Sequence, residues 1–123
     1  MDYTVLIVDD EKKFRSKYKT MFKAKGLKVL QAPDALEVVN VLMRKKSSMD
    51  LIILDICIPE VDGRGISEIV EEYAPNIPIL VASFLPINDQ KLKVRNATDY
   101  FHKLDKDSVL WDKVKKILGI EKK

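Results

Sequence analysis

A short apolar run followed by a helical hydrophobic pattern recurs five times along these 123 residues, and that alternation restricts the fold more than any other feature. Residues 4–8 (TVLIV) are a β-branched run that stops at Asp9-Asp10. Phe14, Tyr18, Met21 and Phe22 then share one side at about 100° per residue, so the spacing predicts an amphipathic helix over residues 11–25, ended by Gly26. Residues 27–31 read as a second strand. Pro33-Asp34 opens a second helix with Leu36, Val39, Val41, Leu42 and Met43 as its apolar side, fading into Arg44-Lys45-Lys46-Ser47-Ser48. Residues 51–54 (LIIL) are apolar at every position, which suits a central parallel strand covered on both faces. Residues 59–65 read as a loop, and Ile66, Ile69, Val70 and Tyr73 give a third helix before Pro75. Residues 77–82 form the fourth expected strand, 88–95 a short fourth helix, 100–102 a fifth strand and 109–118 a last helix closed by Gly119.

Five strands alternating with five helices imply an α/β fold, a (βα)5 three-layer sandwich around a parallel sheet. Right-handed crossovers leave the flavodoxin-like strand order 2-1-3-4-5 as the expected arrangement. The length suits one domain over residues 1–123, with no repeat and no linker-like stretch. With 46% hydrophobic and 33% charged residues, the composition excludes a disordered or low-complexity chain. No apolar run approaches the roughly 20 residues of a transmembrane helix, and residues 1–3 do not open a secretory signal, so no membrane association is expected. Cys57 has no second cysteine to pair with, which favours a reducing compartment and a cytoplasmic location. A formal charge of +3 is too small to imply direct nucleic-acid binding.

The polar residues fall where such a sheet binds ligands, outside the carboxyl ends of the strands near the point where strand order reverses. The first strand ends in Asp9-Asp10, the third in Asp55, the fourth in Ser83 and the fifth in Lys103. Taken singly, each has a plain structural explanation: a helix cap, a loop cap, a turn residue, a surface lysine. Jointly they occupy one rim. Converging carboxylates repel unless a cation lies between them, and a small set of oxygen ligands suits Mg²⁺ better than zinc. Such an ion readies a carboxylate to meet a phosphoryl group, with Lys103 as a second cation and Ser83 as a hydroxyl donor.

These residues carry a resemblance to the receiver domain of two-component response regulators, over essentially the whole chain. The segments are Val5-Leu6-Ile7-Val8-Asp9-Asp10-Glu11, Asp50-Leu51-Ile52-Ile53-Leu54-Asp55, the loop from Asp55 through Cys57 to Gly63 (similar to D-x-x-M-P-x-x-D-G, with Ile58 for Met), Val81-Ala82-Ser83, and Asn96-Ala97-Thr98-Asp99-Tyr100-Phe101-His102-Lys103. The resemblance implies that Asp55 accepts the phosphoryl group. It further implies that Asp10 and Asp55 ligate Mg²⁺ directly, Asp9 through water and Cys57 through its backbone carbonyl. Ser83 matches the switch hydroxyl, Tyr100 the switch aromatic and Lys103 the family lysine. Phosphorylation would repack the face made by the fourth helix, fifth strand and fifth helix.

The departures from the family pattern carry expectations too. Phe84 stands where a small residue is favoured, and with Leu85 and Cys57 it would flank the path of the attacking water, prolonging the life of phospho-Asp55. Leu104 replaces the proline after the lysine. A cis bond there would cost about 3 kcal/mol, so a trans peptide and a shifted lysine backbone are expected. The stretch from Ser83 to Lys103 is shorter than is common, which predicts a short or mobile fourth helix.

Lys12, Lys13, Arg15, Lys17, Lys19, Lys23 and Lys25 on the first helix read as a solvated face in preference to a nucleic-acid or acidic-partner patch. The resemblance implies that this face borders the kinase-docking surface, where its charge would help select the partner. Trp111 reads as core or core rim rather than a dimer anchor, and His102 as a strand residue without a ligand role. Three functions follow. The first is a phosphorylatable switch served by a sensor histidine kinase or phosphotransfer protein, acting on a downstream protein as a monomer or a phosphorylation-linked dimer. The second, motivated by Phe84 and Leu104, is a degenerate receiver that binds partners without phosphorylation. The third, a haloacid-dehalogenase-type phosphatase, needs D-x-D, and Glu11 breaks that pattern. The Asp9, Asp10, Asp55, Ser83 and Lys103 set favours the switch, which turns over no external substrate and so is not an enzyme in the usual sense.

Overall fold

Strands β1 (Thr4–Val8) and β3 (Leu51–Leu54) are buried along their whole length, so each needs cover on both faces. That requirement fixes the architecture. The structure, a computed structural model, describes residues 2–56 and 63–120. With β2 (Lys28–Ala32), β4 (Ile79–Ser83) and β5 (Asp99–His102), these strands form one parallel sheet in the order β2-β1-β3-β4-β5. Between and after them lie α1 (Lys12–Ala24), α2 (Ala35–Lys45) with a 3₁₀ turn over Lys46–Ser48, α3 (Gly63–Tyr73), α4 (Ile87–Lys93) and α5 (Asp107–Leu118). The flavodoxin-like order expected from the alternation is the order found.

Alternate residues of each strand feed two cores, one on either side of the sheet. Val5, Ile7, Leu51, Ile53, Leu80, Ala82 and Phe101 pack with Phe14, Tyr18 and Phe22 of α1 and Leu110 and Val114 of α5. Leu6, Val8, Ile52, Leu54, Val81 and Tyr100 pack with Val38, Val41 and Leu42 of α2, Ile66 and Val70 of α3, and Val94.

Several boundaries differ from the sequence reading, each for a local reason. Helix α3 begins at Gly63 rather than near Ile66; glycines 63 and 65 made its first turn look like loop. Strand β4 begins at Ile79 rather than 77. The Ile77 N–H turns back to the Ala74 carbonyl, and Pro78 has no N–H for the ladder, although its carbonyl accepts from Ile52. Strand β2 is displaced by one residue to end at Ala32, and α5 begins at Asp107 rather than 109. On α2 the buried side is Val38, Val41 and Leu42, whereas Leu36 and Met43 are exposed. Asp34 caps that helix by accepting from the Glu37 N–H at 2.9 Å. Helix α4 is indeed short, seven residues, and begins at Ile87. Gly119 ends α5 in the left-handed region at φ 74°, where a side chain would be strained. No helix among the described residues is long and apolar enough to cross a membrane.

Phe22 is fully buried between Tyr18, at 6.3 Å between ring centroids, and Trp111, at 6.4 Å. Phe22→Ala is expected to lower the unfolding free energy in urea by about 3–5 kcal/mol. A loss under about 1 kcal/mol would mean that the α1–α5 layer is not the packed core described.

Candidate functional site

Strand register brings the acidic residues together. Val8 pairs with Leu54 in the β1–β3 ladder, so Asp9 and Asp55 both emerge one residue later on the same rim. The Asp55 N–H donates to the Val8 carbonyl at 2.9 Å, and the Asp9 N–H to the Ala32 carbonyl at 3.2 Å. On the other side, the Lys103 N–H donates to the Ser83 carbonyl at 2.8 Å. Asp9, Asp55, Ser83 and Lys103 are buried, whereas Asp10 faces solvent.

Carboxylate oxygens of Asp9, Asp10 and Asp55 lie within 4.8 Å of one another. The Lys103 ammonium, on a side chain only 1% exposed, donates to Asp9 Oδ2 at 2.7 Å and Asp55 Oδ2 at 3.2 Å. Three carboxylates against one ammonium leave an excess of negative charge in a partly dry pocket. A hard divalent cation with oxygen preference fits that donor set, so the acidic triad can hold a metal ion.

The cap explanation for Asp9 and Asp10 is partly true. Glu11 is the N-cap of α1 and makes no side-chain cap bond, but Asp9 Oδ1 accepts from the Glu11 N–H at 2.9 Å. One Asp9 oxygen therefore holds the turn and the other holds Lys103. Arg15 Nη1 donates to the Asp9 carbonyl at 2.7 Å, so this basic residue braces the site loop instead of merely facing water. Helix position was the only signal for Arg15, and it pointed elsewhere.

Ser83 Oγ accepts from the Leu85 N–H at 3.1 Å, folding the loop after β4 back on itself. Gln90, fully buried on α4, pins that loop. Its Nε2 donates to the carbonyls of Leu85 at 2.8 Å, Phe101 at 3.2 Å and Ser83 at 3.4 Å. The sequence reading missed Gln90. Its spacing from Ile87 and Val94, three and four residues, marks an inward position. Tyr100 is buried and its hydroxyl donates to the Val94 carbonyl just past α4.

The departures have local answers as well. The Lys103–Leu104 peptide is trans. Leu104 has the N–H a proline would lack, and it donates to His102 Nδ1 at 3.1 Å, so His102 shapes the turn that follows the lysine. Phe84 is half-exposed and meets Phe14 edge to face, with ring centroids 5.5 Å apart. An aromatic column continues from there through Tyr18 and Phe22 to Trp111, which is partly buried at the core rim. Burial, then the negative charge of Asp9, pushes the Tyr18 hydroxyl well above the usual tyrosine range. Cys57 and the loop residues through Asp62 lie outside the described residues.

A family profile described as "Response regulator receiver domain" matches residues 5–115. Among curated proteins, the chain is 28% identical over 123 residues to sporulation initiation phosphotransferase F of Bacillus subtilis, covering 98% of each. It is 29% identical over 124 residues to the sensor histidine kinase CheAY of Helicobacter pylori, covering 98% of this chain but only 15% of that protein. Among solved structures, a two-component response regulator from Clostridium difficile superposes with a TM-score of 0.87 at 26% identity, covering 96% of this chain and 97% of that one. The response regulator TrrA from Thermotoga maritima, in complex with Mg²⁺-BeF, superposes with a TM-score of 0.83 at 25% identity, covering 94% and 99%.

Removing the ammonium while keeping its stem isolates the electrostatics. Lys103→Met leaves Asp9 and Asp55 buried without their shared cation, and is expected to cost about 3 kcal/mol of unfolding free energy in urea at neutral pH. Adding Asp9→Asn removes one of the opposed charges and should recover part of that loss. A double variant no more stable than Lys103→Met would contradict the charge coupling described.

Proposed function

The chain belongs to the response regulator receiver family, and from that premise we propose that it is a two-component switch whose Asp55 accepts a phosphoryl group from a histidine kinase or phosphotransfer protein. The observation that carries this reading is the Lys103 ammonium, bonded to both Asp9 and Asp55 within a cluster of three carboxylates. A phosphoryl group on Asp55 needs a positioned cation, a hydroxyl donor and a divalent counter-ion; Lys103 and Ser83 would supply the first two, and Asp9 and Asp10 would help hold the third.

In the transfer, an Asp55 carboxylate oxygen forms the new O–P bond as the P–N bond to the donor histidine breaks, and the imidazole leaves with the electron pair. Lys103 moves from the carboxylates to a phosphoryl oxygen. Ser83 gives up its contact with the Leu85 N–H and donates its hydroxyl to another. Asp9, Asp10 and Asp55, with the Cys57 carbonyl, would hold Mg²⁺, which offsets the charge on the phosphoryl oxygens. Because Gln90 bonds the carbonyls of Ser83 and Leu85, and Tyr100 bonds that of Val94, movement of Ser83 reaches α4 and β5 directly. The face of α4, β5 and α5 is the output surface for a downstream protein, and any dimer linked to phosphorylation forms there. We assign residues 1–123 to this one domain and place it in the cytoplasm, without direct nucleic-acid contact.

The degenerate-receiver reading rested on Phe84 and Leu104. Lys103 reaches both aspartates despite Leu104, whose N–H is satisfied by His102, and this favours the phosphorylatable switch. Phe84, beside Lys103 on the open side, supports the slow loss of phosphate expected from its bulk.

Incubation with Mg²⁺ and acetyl phosphate should add one phosphoryl group by intact mass, and Asp55→Asn should abolish the gain. Phe84→Ala should shorten the lifetime of the adduct severalfold. A wild-type chain that gains nothing would move the case to the partner-binding module, and an adduct longer-lived in Phe84→Ala would remove the shielding role.

A further inference from the structure

We propose that Phe14 and Phe84 form a two-ring cradle that positions the Lys103 ammonium for the phosphoryl group, an inference that rests on Asp55 as the acceptor. The Lys103 Nζ atom lies 4.1 Å from the Phe14 ring centroid and 5.4 Å from that of Phe84. The two rings meet edge to face at an interplanar angle of 67°. Phe14 is buried at 6% exposure and lies against Tyr18 at a 37° tilt, so it is the fixed wall; Phe84, at 47%, is the outer one.

The chemistry explains why rings suit this place. An ammonium has three donor directions, and here Asp9 and Asp55 each accept one hydrogen bond from it. A further carboxylate would hold the lysine but would also repel an arriving phosphoryl group. The face of an aromatic ring carries partial negative charge without formal charge, so it stabilises a dry ammonium and adds no formal charge to repel the phosphoryl group. Over the ring face, the attraction changes little with a small lateral shift of the cation. Lys103 can therefore slide from the carboxylates to a phosphoryl oxygen without losing its support. Because Phe84 follows Ser83 directly, the outer wall is tied to the hydroxyl that turns toward the same phosphoryl group.

Phe14 also belongs to the α1 core, so the test must separate charge from packing. In the full chain, position 14 is filled with a series of increasingly ring-fluorinated phenylalanines, which keep nearly the same shape while the ring face loses its negative charge. The readout is the affinity for beryllofluoride in the presence of Mg²⁺. Affinity should fall in order along the series, by about tenfold at full fluorination, and less for the same series at position 84. Phe14→Tyr should stay near wild type. A flat series would overturn the cradle.

A second readout needs neither metal nor phosphoryl. The Lys103 ε-methylene protons should be shifted upfield by the rings in the ligand-free protein, and Phe14→Leu should remove the shift. An unshifted wild type would overturn the cradle. A shifted wild type that takes no beryllofluoride would support the cradle's geometry and overturn the acceptor reading instead.

Discussion

The Lys103 ammonium between Asp9 and Asp55 is the interaction on which the functional rim depends. Buried charges are costly to bring out of water, and a pair survives only where geometry lets each partner satisfy the other. Here the sheet supplies that geometry. Val8 and Leu54 are in register, so their successors present carboxylates side by side. The β4–β5 ladder delivers the lysine from across the sheet, fixed by its own N–H to the Ser83 carbonyl. The two apolar cores on either side of the sheet hold these strand ends in place. On the proposed reading, a phosphoryl group entering this site would compete for a cation already held there.

Two sets of contacts lead away from that ion pair. Toward α4, Gln90 gathers the carbonyls of Ser83, Leu85 and Phe101, and the Tyr100 hydroxyl holds that of Val94. Toward α1, Phe84 and Phe14 flank the lysine, and Arg15 braces the Asp9 carbonyl. The basic residues of α1 therefore differ in role. Arg15 belongs to the site, Lys17 pairs with Asp107 of α5 at 3.1 Å, Lys13 and Lys25 lie over the rings of Phe14 and Trp111 at 5.2 and 5.5 Å, and Lys12 and Lys23 are exposed.

The layout of strands and the rim of charged residues were legible in the sequence because both follow short-range rules. A wholly apolar LIIL run between polar residues suits a strand covered on both faces, and in a parallel sheet the polar residues at the carboxyl ends of such runs meet at one edge. What escaped depends on contacts distant in sequence or on side-chain direction. Gln90 reaches Phe101 across eleven positions, and the edge-to-face contact of Phe14 and Phe84 joins residues seventy apart, so no local pattern encodes either. The late start of β4 turned on the missing N–H of Pro78, and the early start of α3 on glycines admitted into a first turn. The exposed Leu36 and Met43 show the limit of reading an apolar side from composition when the buried stripe is set by Val38, Val41 and Leu42.

On the proposed reading, one carboxylate of this rim, Asp55, receives the phosphoryl group while Asp9 and Asp10 serve the ion. Borohydride reduction of the phosphorylated protein, followed by peptide mapping, tests it most directly, because an acyl phosphate is reduced to homoserine at the residue that carried it. Homoserine is expected at position 55 alone, and only where Mg²⁺ was present during phosphorylation. Homoserine at position 9 or 10, or a modification that borohydride leaves untouched, would contradict it.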